Sequence, residues 1–301
     1  MKNMNKYENC LLCPRKCGIN RSTGQTGVCG VSSEIKVARA ALHYWEEPCI
    51  SGKRGSGAVF FSGCSLHCVF CQNRAISDGK EGKVISKERL SDIFMELADK
   101  GANNINLVTP GQYIPDIVWA VNDAKSRGMK LPIIYNTSGY ENVTELKLLE
   151  DIVDVYLPDF KYMDSTLSAM YSRAKDYPSV AKQALSEMVR QQPDVVIDDA
   201  TGLIQKGVIV RQLLLPGHVN DAKAVLKYLY DTYHDHVYIS MMSQFTPIAL
   251  KDYPEINRTV TRREYERLVD YALEIGITNA FIQEGDVAKD SFIPAFDCEG
   301  V

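Results

Sequence analysis

An α/β fold built around a mostly parallel sheet is the fold class that this sequence predicts. Short β-branched and aromatic runs, bounded by Gly, Pro, Asn or Asp, alternate with amphipathic helical patterns over about 230 residues. Six or seven such units are too few for a closed eight-stranded barrel, so they favour a partial (β/α)6 TIM-like barrel. An open doubly wound sheet is the alternative. In either architecture ligands bind at the carboxyl ends of the strands, and functional residues are expected there.

Seven segments have the pattern of buried strands. Each is a short apolar run that ends at a polar residue or at a turn-forming residue. In chain order the predicted strands are Ala58–Ser62, Ile105–Thr109, Pro132–Asn136, Val153–Asp159, Val208–Leu214, Val237–Met242 and Ala280–Gln283.

Helix-capping residues mark the start of several helices between these strands. Ser86 and Asn220 are each expected to cap a helix with one apolar face. Thr261 and Glu264 form a capping-box pattern, and Gly276 is placed to end that helix. The segment 162–207 is long enough for two helices, one of them near Ser179–Gln191.

Composition and charge exclude several classes of protein. The chain has 301 residues, of which 45% are hydrophobic, and 34 basic against 38 acidic residues give a net charge of −4. This balance argues against a chain built to coat nucleic acid or an anionic membrane. No apolar run is long enough to span a bilayer, and no apolar segment of a secretory signal follows the N-terminus. We therefore expect a cytoplasmic protein with no nucleic-acid or membrane partner.

The nine cysteines are the most informative part of the composition. An odd number without a secretory signal favours metal or redox chemistry over a disulfide framework. Seven of them lie in two groups, and Cys49 and Cys298 are interpreted as ordinary thiols. The first group is Cys10, Cys13, Cys17 and Cys29, and the second is Cys64, Cys68 and Cys71. The chain is accordingly divided into a Cys-rich segment, residues 1–50, and a barrel, residues 51–301.

The second group forms a C-x3-C-x2-C loop directly after the first predicted strand. Three thiolates on one tight loop can bind three irons of a 4Fe–4S cluster and leave the fourth iron open for a substrate or cosubstrate. A ferredoxin-like carrier would supply a fourth nearby cysteine, and none follows here. A zinc knuckle is the alternative, but structural zinc requires four ligands, and His67 lies awkwardly between two of the cysteines.

The loop from Gly63 to Asn73, with Phe70 before its third cysteine, resembles the signature loop of the radical S-adenosylmethionine (SAM) superfamily. The resemblance implies that superfamily's partial barrel. It also implies that the amino and carboxylate groups of SAM bind the open iron. One electron from the reduced cluster then cleaves a carbon–sulfur bond, giving methionine and a 5′-deoxyadenosyl radical that abstracts hydrogen. Cys64, Cys68 and Cys71 are the expected catalytic cluster ligands, and Phe70, Gln72 and Asn73 the cofactor-binding residues of this loop.

Further segments are similar to a subgroup of pyruvate formate-lyase activating enzyme homologues. They are Glu46–Gly52, Gly55–Gly57, Phe60–Gly63, Tyr156–Tyr162 and Arg211–His218, and the resemblance extends from residue 10 to about residue 290. It implies hydrogen abstraction from a protein or peptide, and a flavodoxin- or ferredoxin-type reductant.

The resemblance also assigns SAM-binding residues at the strand ends. Asp159-Phe160-Lys161 matches an Asp-Leu-Lys motif of the activases, in which Lys161 would meet the SAM carboxylate and Asp159 a hydroxyl or ammonium group. Where the superfamily has Gly-Gly-Glu at the end of the second strand, this chain has Val108-Thr109-Pro110-Gly111, so Thr109 and main-chain carbonyls are the expected contacts of the amino group. The remaining candidates are Asn136, Ser138, Arg211 and Gln244. Asn136 and Ser138 could equally begin a turn.

The first cysteine group offers four thiolates within twenty residues, which suits either a structural zinc or a second 4Fe–4S cluster. Its position before the radical SAM loop differs from that of the activases, whose extra clusters generally follow it. The spacing predicts a metal site and leaves the metal open.

Three functions are consistent with the sequence. The first is a radical SAM enzyme that abstracts hydrogen from a protein or peptide. The second applies the same chemistry to a small molecule or to a peptide modification. The third is a non-catalytic iron–sulfur electron carrier or a zinc-stabilised binding module.

Overall fold

The computed structural model describes residues 6–248, 250–283 and 294–301. A single curved sheet organises them, and its strands alternate with helices along the chain. The strands are β1 Ile35–His43, β2 Ser56–Phe61, β3 Lys83–Ile85, β4 Ile105–Val108, β5 Ile133–Thr137, β6 Val155–Pro158, β7 Val196–Ile197, β8 Ile204–Leu213, β9 Tyr238–Met242 and β10 Ala280–Ile282.

The strand order is β10-β9-β8-β6-β5-β4-β2-β1-β3, with the short β7 paired to β8. The strands from β2 to β10 along this path pair in parallel, whereas β1 is antiparallel to both β2 and β3. The order of the parallel strands, β2-β4-β5-β6-β8-β9-β10, never reverses direction as that of a doubly wound sheet does, and β3 and β10 lie at opposite ends of the sheet. The predicted partial barrel is therefore confirmed, and the doubly wound alternative is wrong.

Helices cover the outside of the sheet and bury their apolar faces against it. Leu90, Ile93, Phe94 and Leu97, for example, are buried on one face of α3. The helices are α1 Pro48–Ser51, α2 Arg74–Ser77, α3 Lys87–Asp99, α4 Ile114–Ser126, α5 Val143–Leu146, α6 Ser165–Ser172, α7 Tyr177–Gln191, α8 Val219–Tyr233 and α9 Arg262–Glu274.

The helix caps agree with the sequence in two cases and differ in one. Ser86 accepts a hydrogen bond from the Arg89 amide at the start of α3, and Thr261 with Glu264 forms the predicted capping box of α9. The predicted Asn220 cap is wrong, because α8 begins at Val219 and His218 occupies the N-cap position. Gly217 has φ +81°, and the sharp turn there lets the helix start at once and leaves Asn220 inside its first turn.

The predicted strands correspond to observed ones, with ends that differ by a few residues. β8 begins at Ile204, four residues before the predicted start, and β6 is shorter than its prediction at both ends. The predicted pair of helices within 162–207 is confirmed as α6 and α7. The strands β3 and β7 and the helices α1, α2, α4 and α5 were not assigned from the sequence.

The segment before β1 packs against loops at the carboxyl ends of the parallel strands. Asn142 donates a hydrogen bond to the Leu11 carbonyl, and Arg15 donates to the Ser65 carbonyl at 2.8 Å. Tyr7, Cys10 and Leu12 form a small buried cluster of their own. No helix among the described residues is long and apolar enough to cross a membrane.

Candidate active site

The cysteine loop begins where β2 ends at the carboxyl edge of the sheet. Gly63 turns the chain with φ +89°, and a Cβ at this position would lie 2.6 Å from the Cys29 carbonyl oxygen. The turn therefore requires glycine. Further along the loop, the Cys71 amide donates to the Cys68 carbonyl at 3.1 Å. These contacts fold the loop tightly and direct Cys64, Cys68 and Cys71 into one cleft.

The environment of the three sulfur atoms fits an iron–sulfur cluster. The Leu66 amide donates to Cys64 Sγ at 3.4 Å, and the Ser172 hydroxyl donates to Cys68 Sγ at 3.1 Å. Hydrogen bonds to cysteine sulfur are a means by which proteins set the potential of such clusters. No three His, Cys, Asp or Glu side chains in the described ranges converge closely enough to hold a single metal ion. Three cysteines on one loop can supply the ligands of a 4Fe–4S cluster with one open position, whereas a structural zinc requires four ligands.

Burial makes these thiols poor acids in the absence of a cation. Burial, with a smaller contribution from Cys64 and against the opposing charge of Lys161, raises the pKa of Cys68 to about 11 and that of Cys71 to about 12. A bound metal centre would stabilise the thiolates and release their protons. Binding of a cluster here is therefore coupled to deprotonation.

The cleft lies over the carboxyl ends of the parallel strands and encloses about 1200 Å³ that opens to solvent. All ten residues proposed from the sequence as cofactor-binding line it, together with the three cysteines. They are Phe70, Gln72, Asn73, Thr109, Asn136, Ser138, Asp159, Lys161, Arg211 and Gln244. The structure brings these residues together from six separate loops and strands.

A network of charges crosses the cleft. Asp159 Oδ2 lies 2.6 Å from Lys161 Nζ, and Asp159 Oδ1 lies 2.9 Å from Arg211 Nε. Arg211 also donates to Asn136 Oδ1 at 2.6 Å and pairs with Glu46 Oε2 at 3.3 Å. All four charged side chains are at most 19% exposed, so their attraction is weakly screened by water.

The pKa shifts follow from this network. Burial alone would raise the pKa of Asp159, but Arg211 and Lys161 outweigh it and hold the pKa below its ordinary value. Burial would lower the pKa of Lys161, and Asp159 reverses this effect. Asp159 is thus a carboxylate and Lys161 an ammonium group, ready to bind oppositely charged parts of a ligand. By contrast, burial raises the pKa of Glu46 despite Arg211.

Thr109 and Ser138 have backbone conformations and contacts that the sequence did not indicate. Thr109 adopts φ +58°, an uncommon conformation for a β-branched residue, and its carbonyl accepts from Gln112 Nε2 at 2.8 Å. The Ser138 carbonyl accepts from the Tyr177 hydroxyl at 2.9 Å. Both residues therefore have a fixed main chain at the edge of the cleft.

The remaining candidates form the other wall. The Phe70 ring is buried against Phe245, with centroids 5.7 Å apart. Gln72 Nε2 donates to the Gln244 carbonyl at 3.0 Å, which joins the cysteine loop to the segment after β9. Asn73 precedes α2 and lines the cleft beside them.

Glu46 is a site residue that sequence reasoning named only as part of a similar segment. Its Oε1 accepts from Asn106 at 3.0 Å and from Asn136 at 3.3 Å, and it lines the cleft. It follows β1, whose last residue, His43, pairs with Ser56 at the amino end of β2. Glu46 therefore reaches the cleft from the side of the sheet where the parallel strands begin, which we call the floor of the cleft. In the sequence, Glu46 stands out only as part of the acidic pair before Pro48. Its position in the cleft follows from the antiparallel direction of β1, which the structure shows.

The four cysteines of the N-terminal group line a second cavity, as the sequence grouping suggested. Thr109, Thr137 and Ser138 line both this cavity and the cleft. Cys49 and Cys298 line neither of the two and are free thiols.

Comparison with known proteins gives a consistent result. Residues 58–206 match the model of the radical SAM superfamily. The uncharacterized protein MJ0674 of Methanocaldococcus jannaschii is 28% identical over 276 residues, which cover 89% of this chain and 75% of that protein.

Two solved structures align with part of this chain. SuiB of Streptococcus suis, bound to SAM, aligns with a TM-score of 0.50 and 14% identity over 74% of this chain and 48% of SuiB, so the chain spans about half the length of that protein. A domain of a pyruvate formate-lyase activating enzyme from Bacteroides vulgatus aligns with a TM-score of 0.39 and 12% identity, over 57% of this chain and 93% of that domain. At 14% identity, the similarity to SuiB shows a shared fold.

Proposed function

Because this chain belongs to the radical SAM superfamily, we propose that it is an enzyme that abstracts hydrogen from a protein or peptide substrate, in the manner of the glycyl-radical-enzyme activases. Membership of the superfamily implies reductive cleavage of SAM at a 4Fe–4S cluster. The observation that carries the proposal is the cleft itself. Three cysteines of the signature loop and ten residues expected to bind the cofactors line one open space at the carboxyl end of the barrel.

In this proposal Cys64, Cys68 and Cys71 hold the cluster through their sulfur atoms. When bound, the cluster and SAM supply the one-electron chemistry and the 5′-deoxyadenosyl radical. Lys161, held by Asp159 at 2.6 Å, binds the carboxylate of SAM. The second oxygen of Asp159 is held by Arg211, so the carboxylate is oriented before any ligand arrives.

The other candidates surround these charges. Thr109 and the main-chain carbonyls beside it accept hydrogen bonds from the amino group of SAM, and Asn136 and Ser138 bind its ribose. Phe70, Gln72, Asn73 and Gln244 close the wall beside the cysteine loop. Their packing excludes water from the space next to the cluster, which protects a reactive radical.

A groove next to the cleft supports a protein or peptide substrate. Tyr44 and Trp45 are 50% and 60% exposed, and they line this groove with Arg39 and Phe60. Trp45 and Phe60 also line the cleft, so the two spaces are continuous. Exposed aromatic side chains are typical of surfaces that bind polypeptides. In this proposal, a flavodoxin- or ferredoxin-type protein delivers the electron.

A small polar substrate is the second candidate, and the floor of the cleft favours it. Glu46 and Arg211 place opposite charges there, beside the amide of Asn136. A molecule with both a basic and an acidic group would be recognised by such a pair. The chemistry of SAM cleavage is the same for both candidates.

We predict that Cys68→Ala abolishes formation of 5′-deoxyadenosine from SAM, because the variant lacks one of the three cluster ligands. The measurement is anaerobic turnover with dithionite, followed by chromatography of the nucleoside products. Cys298→Ala is the matched control and should retain wild-type activity, since Cys298 is a free thiol that does not line the cleft. Full activity of the Cys68 variant would contradict the proposed ligand set.

We predict that Lys161→Ala weakens SAM binding about 10- to 100-fold, the size expected for the loss of one charge-assisted hydrogen bond. Iron content should not change, because Lys161 is not a cluster ligand. Calorimetric titration with SAM and iron analysis of the same samples give both quantities. Lys227→Ala, which removes an exposed pair with Asp231, is the control for a change in charge alone. Unchanged affinity in the Lys161 variant would remove this residue from the SAM site.

The substrate class can be tested by isotope transfer. Extract from the source organism grown in deuterated medium is divided by ultrafiltration into macromolecular and small-molecule fractions, and each is incubated with the enzyme, SAM and reductant. Mass spectrometry of 5′-deoxyadenosine then shows which fraction donates deuterium. We expect deuterium from the macromolecular fraction, with loss of the signal after protease treatment. Transfer from the small-molecule fraction alone would establish the second candidate instead.

A further inference from the structure

The four N-terminal cysteines surround one cavity that shares Thr109, Thr137 and Ser138 with the wall of the cleft. Cys10, Cys13, Cys17 and Cys29 all line it, although up to eleven residues separate neighbouring members along the chain. Cys10 is held by main-chain hydrogen bonds from its amide to Ile19 and from Gly18 to its carbonyl. The local fold therefore directs four sulfur donors toward a common space.

A buried arginine lies against this cavity and forms no ion pair with the described residues. Arg21 is 1% exposed, and its guanidinium donates to the main-chain carbonyls of Val31, Gln112 and Ser32 at 3.2, 2.8 and 2.6 Å. These carbonyls satisfy its N–H groups but carry no charge. None of the ion pairs formed within the described ranges includes Arg21. A buried cation without an anion is costly, so an anionic group is expected beside it.

The cysteine sulfurs are the nearest candidates for that anion. Arg21 Nη1 lies 3.8 Å from Cys10 Sγ, within the range of a hydrogen bond to sulfur. Four thiolates around an oxidised 4Fe–4S core carry a net charge of about −2. A cluster in this cavity would therefore place a counter-charge in direct contact with Arg21, whereas Asp116 interacts with it from beyond ion-pair distance.

The space around the sulfur atoms is also shaped for such a group. The Val28 amide donates to Cys17 Sγ at 3.5 Å, as main-chain amides do toward cluster sulfurs. At Gly27 a Cβ would lie 2.9 Å from Cys17 Sγ, so the absence of a side chain keeps that sulfur accessible. A larger residue there would push Cys17 out of the cavity wall.

The arrangement of the four cysteines favours a cluster over a single zinc ion. Tetrahedral zinc with Zn–S bonds of about 2.3 Å needs sulfur atoms about 3.8 Å apart. Among the residues that the structure describes, no three candidate ligands converge on one point in this way. The four cysteines instead surround a shared space, as the ligands of separate irons do. We propose that Cys10, Cys13, Cys17 and Cys29 bind a second 4Fe–4S cluster, with Arg21 as its buried counter-cation.

This second site supports the radical SAM loop directly. The Cys64 amide donates to the Cys29 carbonyl at 3.2 Å. A proposed ligand of the first cluster is thus hydrogen-bonded to a proposed ligand of the second. Arg15 Nε donates to the Ser65 carbonyl at 2.8 Å, and His67 contacts the Val28 carbonyl. Loss of the second cluster is therefore expected to loosen the loop that holds the first.

The test measures iron, sulfide and zinc per chain in full-length protein purified anaerobically without reconstitution. We expect about eight irons and eight sulfides in the wild type, and about four of each in a Cys64/Cys68/Cys71→Ala variant. We expect about four of each in a Cys13/Cys17→Ala variant as well. Mössbauer spectra identify the cluster type in each variant, and circular dichroism confirms that both variants are folded. One zinc, or no iron and sulfide, in the folded triple variant would overturn the proposal.

A second measurement tests the role of Arg21 and does not depend on loss of a ligand. In the triple-variant background, Arg21→Met should lower the reduction potential of the remaining cluster or reduce its occupancy, because a nearby positive charge is lost. Arg21→Lys keeps the charge and should retain the cluster at a potential closer to that of the parent. An unchanged potential and iron content in the Met variant would remove Arg21 from the site.

The two proposals fail in different ways. If the triple variant keeps all the iron of the wild type, the ligand set proposed for the catalytic cluster is wrong. If the Cys13/Cys17 variant keeps all the iron of the wild type, the ligand set proposed for the second cluster is wrong.

Discussion

The side chain of Arg211 joins the elements that enclose the cleft. It pairs with Asp159 after β6, donates to Asn136 on β5, and pairs with Glu46 in the segment after β1. Glu46 in turn accepts from Asn106 on β4. Each of these polar groups is buried or nearly so, and each depends on the others for its hydrogen bonds and charge balance. Removal of the guanidinium would leave two carboxylates inside the barrel with Lys161 as the remaining close cation of the network.

This constraint explains how a generic barrel becomes a selective site. Parallel strands bring their carboxyl ends to one edge, which is why Thr109, Asn136, Ser138 and Asp159 meet there. The ion-pair network then fixes the orientation of the Asp159 and Lys161 side chains. Above it, the cysteine loop is held between the barrel and the N-terminal segment. The two sites therefore share their supporting structure as well as the wall formed by Thr109, Thr137 and Ser138.

Much of this arrangement could be predicted from the sequence, since strand ends follow from short apolar runs and the metal donors from cysteine spacing. Asp159 and Lys161 could be placed at the edge of the sheet because they lie at the end of a clear strand pattern, and the resemblance to the activases gave their expected roles. Glu46 could not, because its position depends on β1 running antiparallel to β2, and periodicity gives no strand direction. Arg21 was also missed, since a lone arginine in a polar segment gives no sign that it is buried. The helix start at Val219 differed because a glycine turn overrode the capping preference of Asn220.

The most direct test of the account is a crystal structure of the anaerobically purified protein with SAM. The account predicts a 4Fe–4S cluster bound by Cys64, Cys68 and Cys71 alone, with the SAM carboxylate next to Lys161 and the rest of the molecule in the cleft near Asn136 and Asp159. A fourth protein ligand on that cluster, or SAM bound away from the cleft, would contradict it.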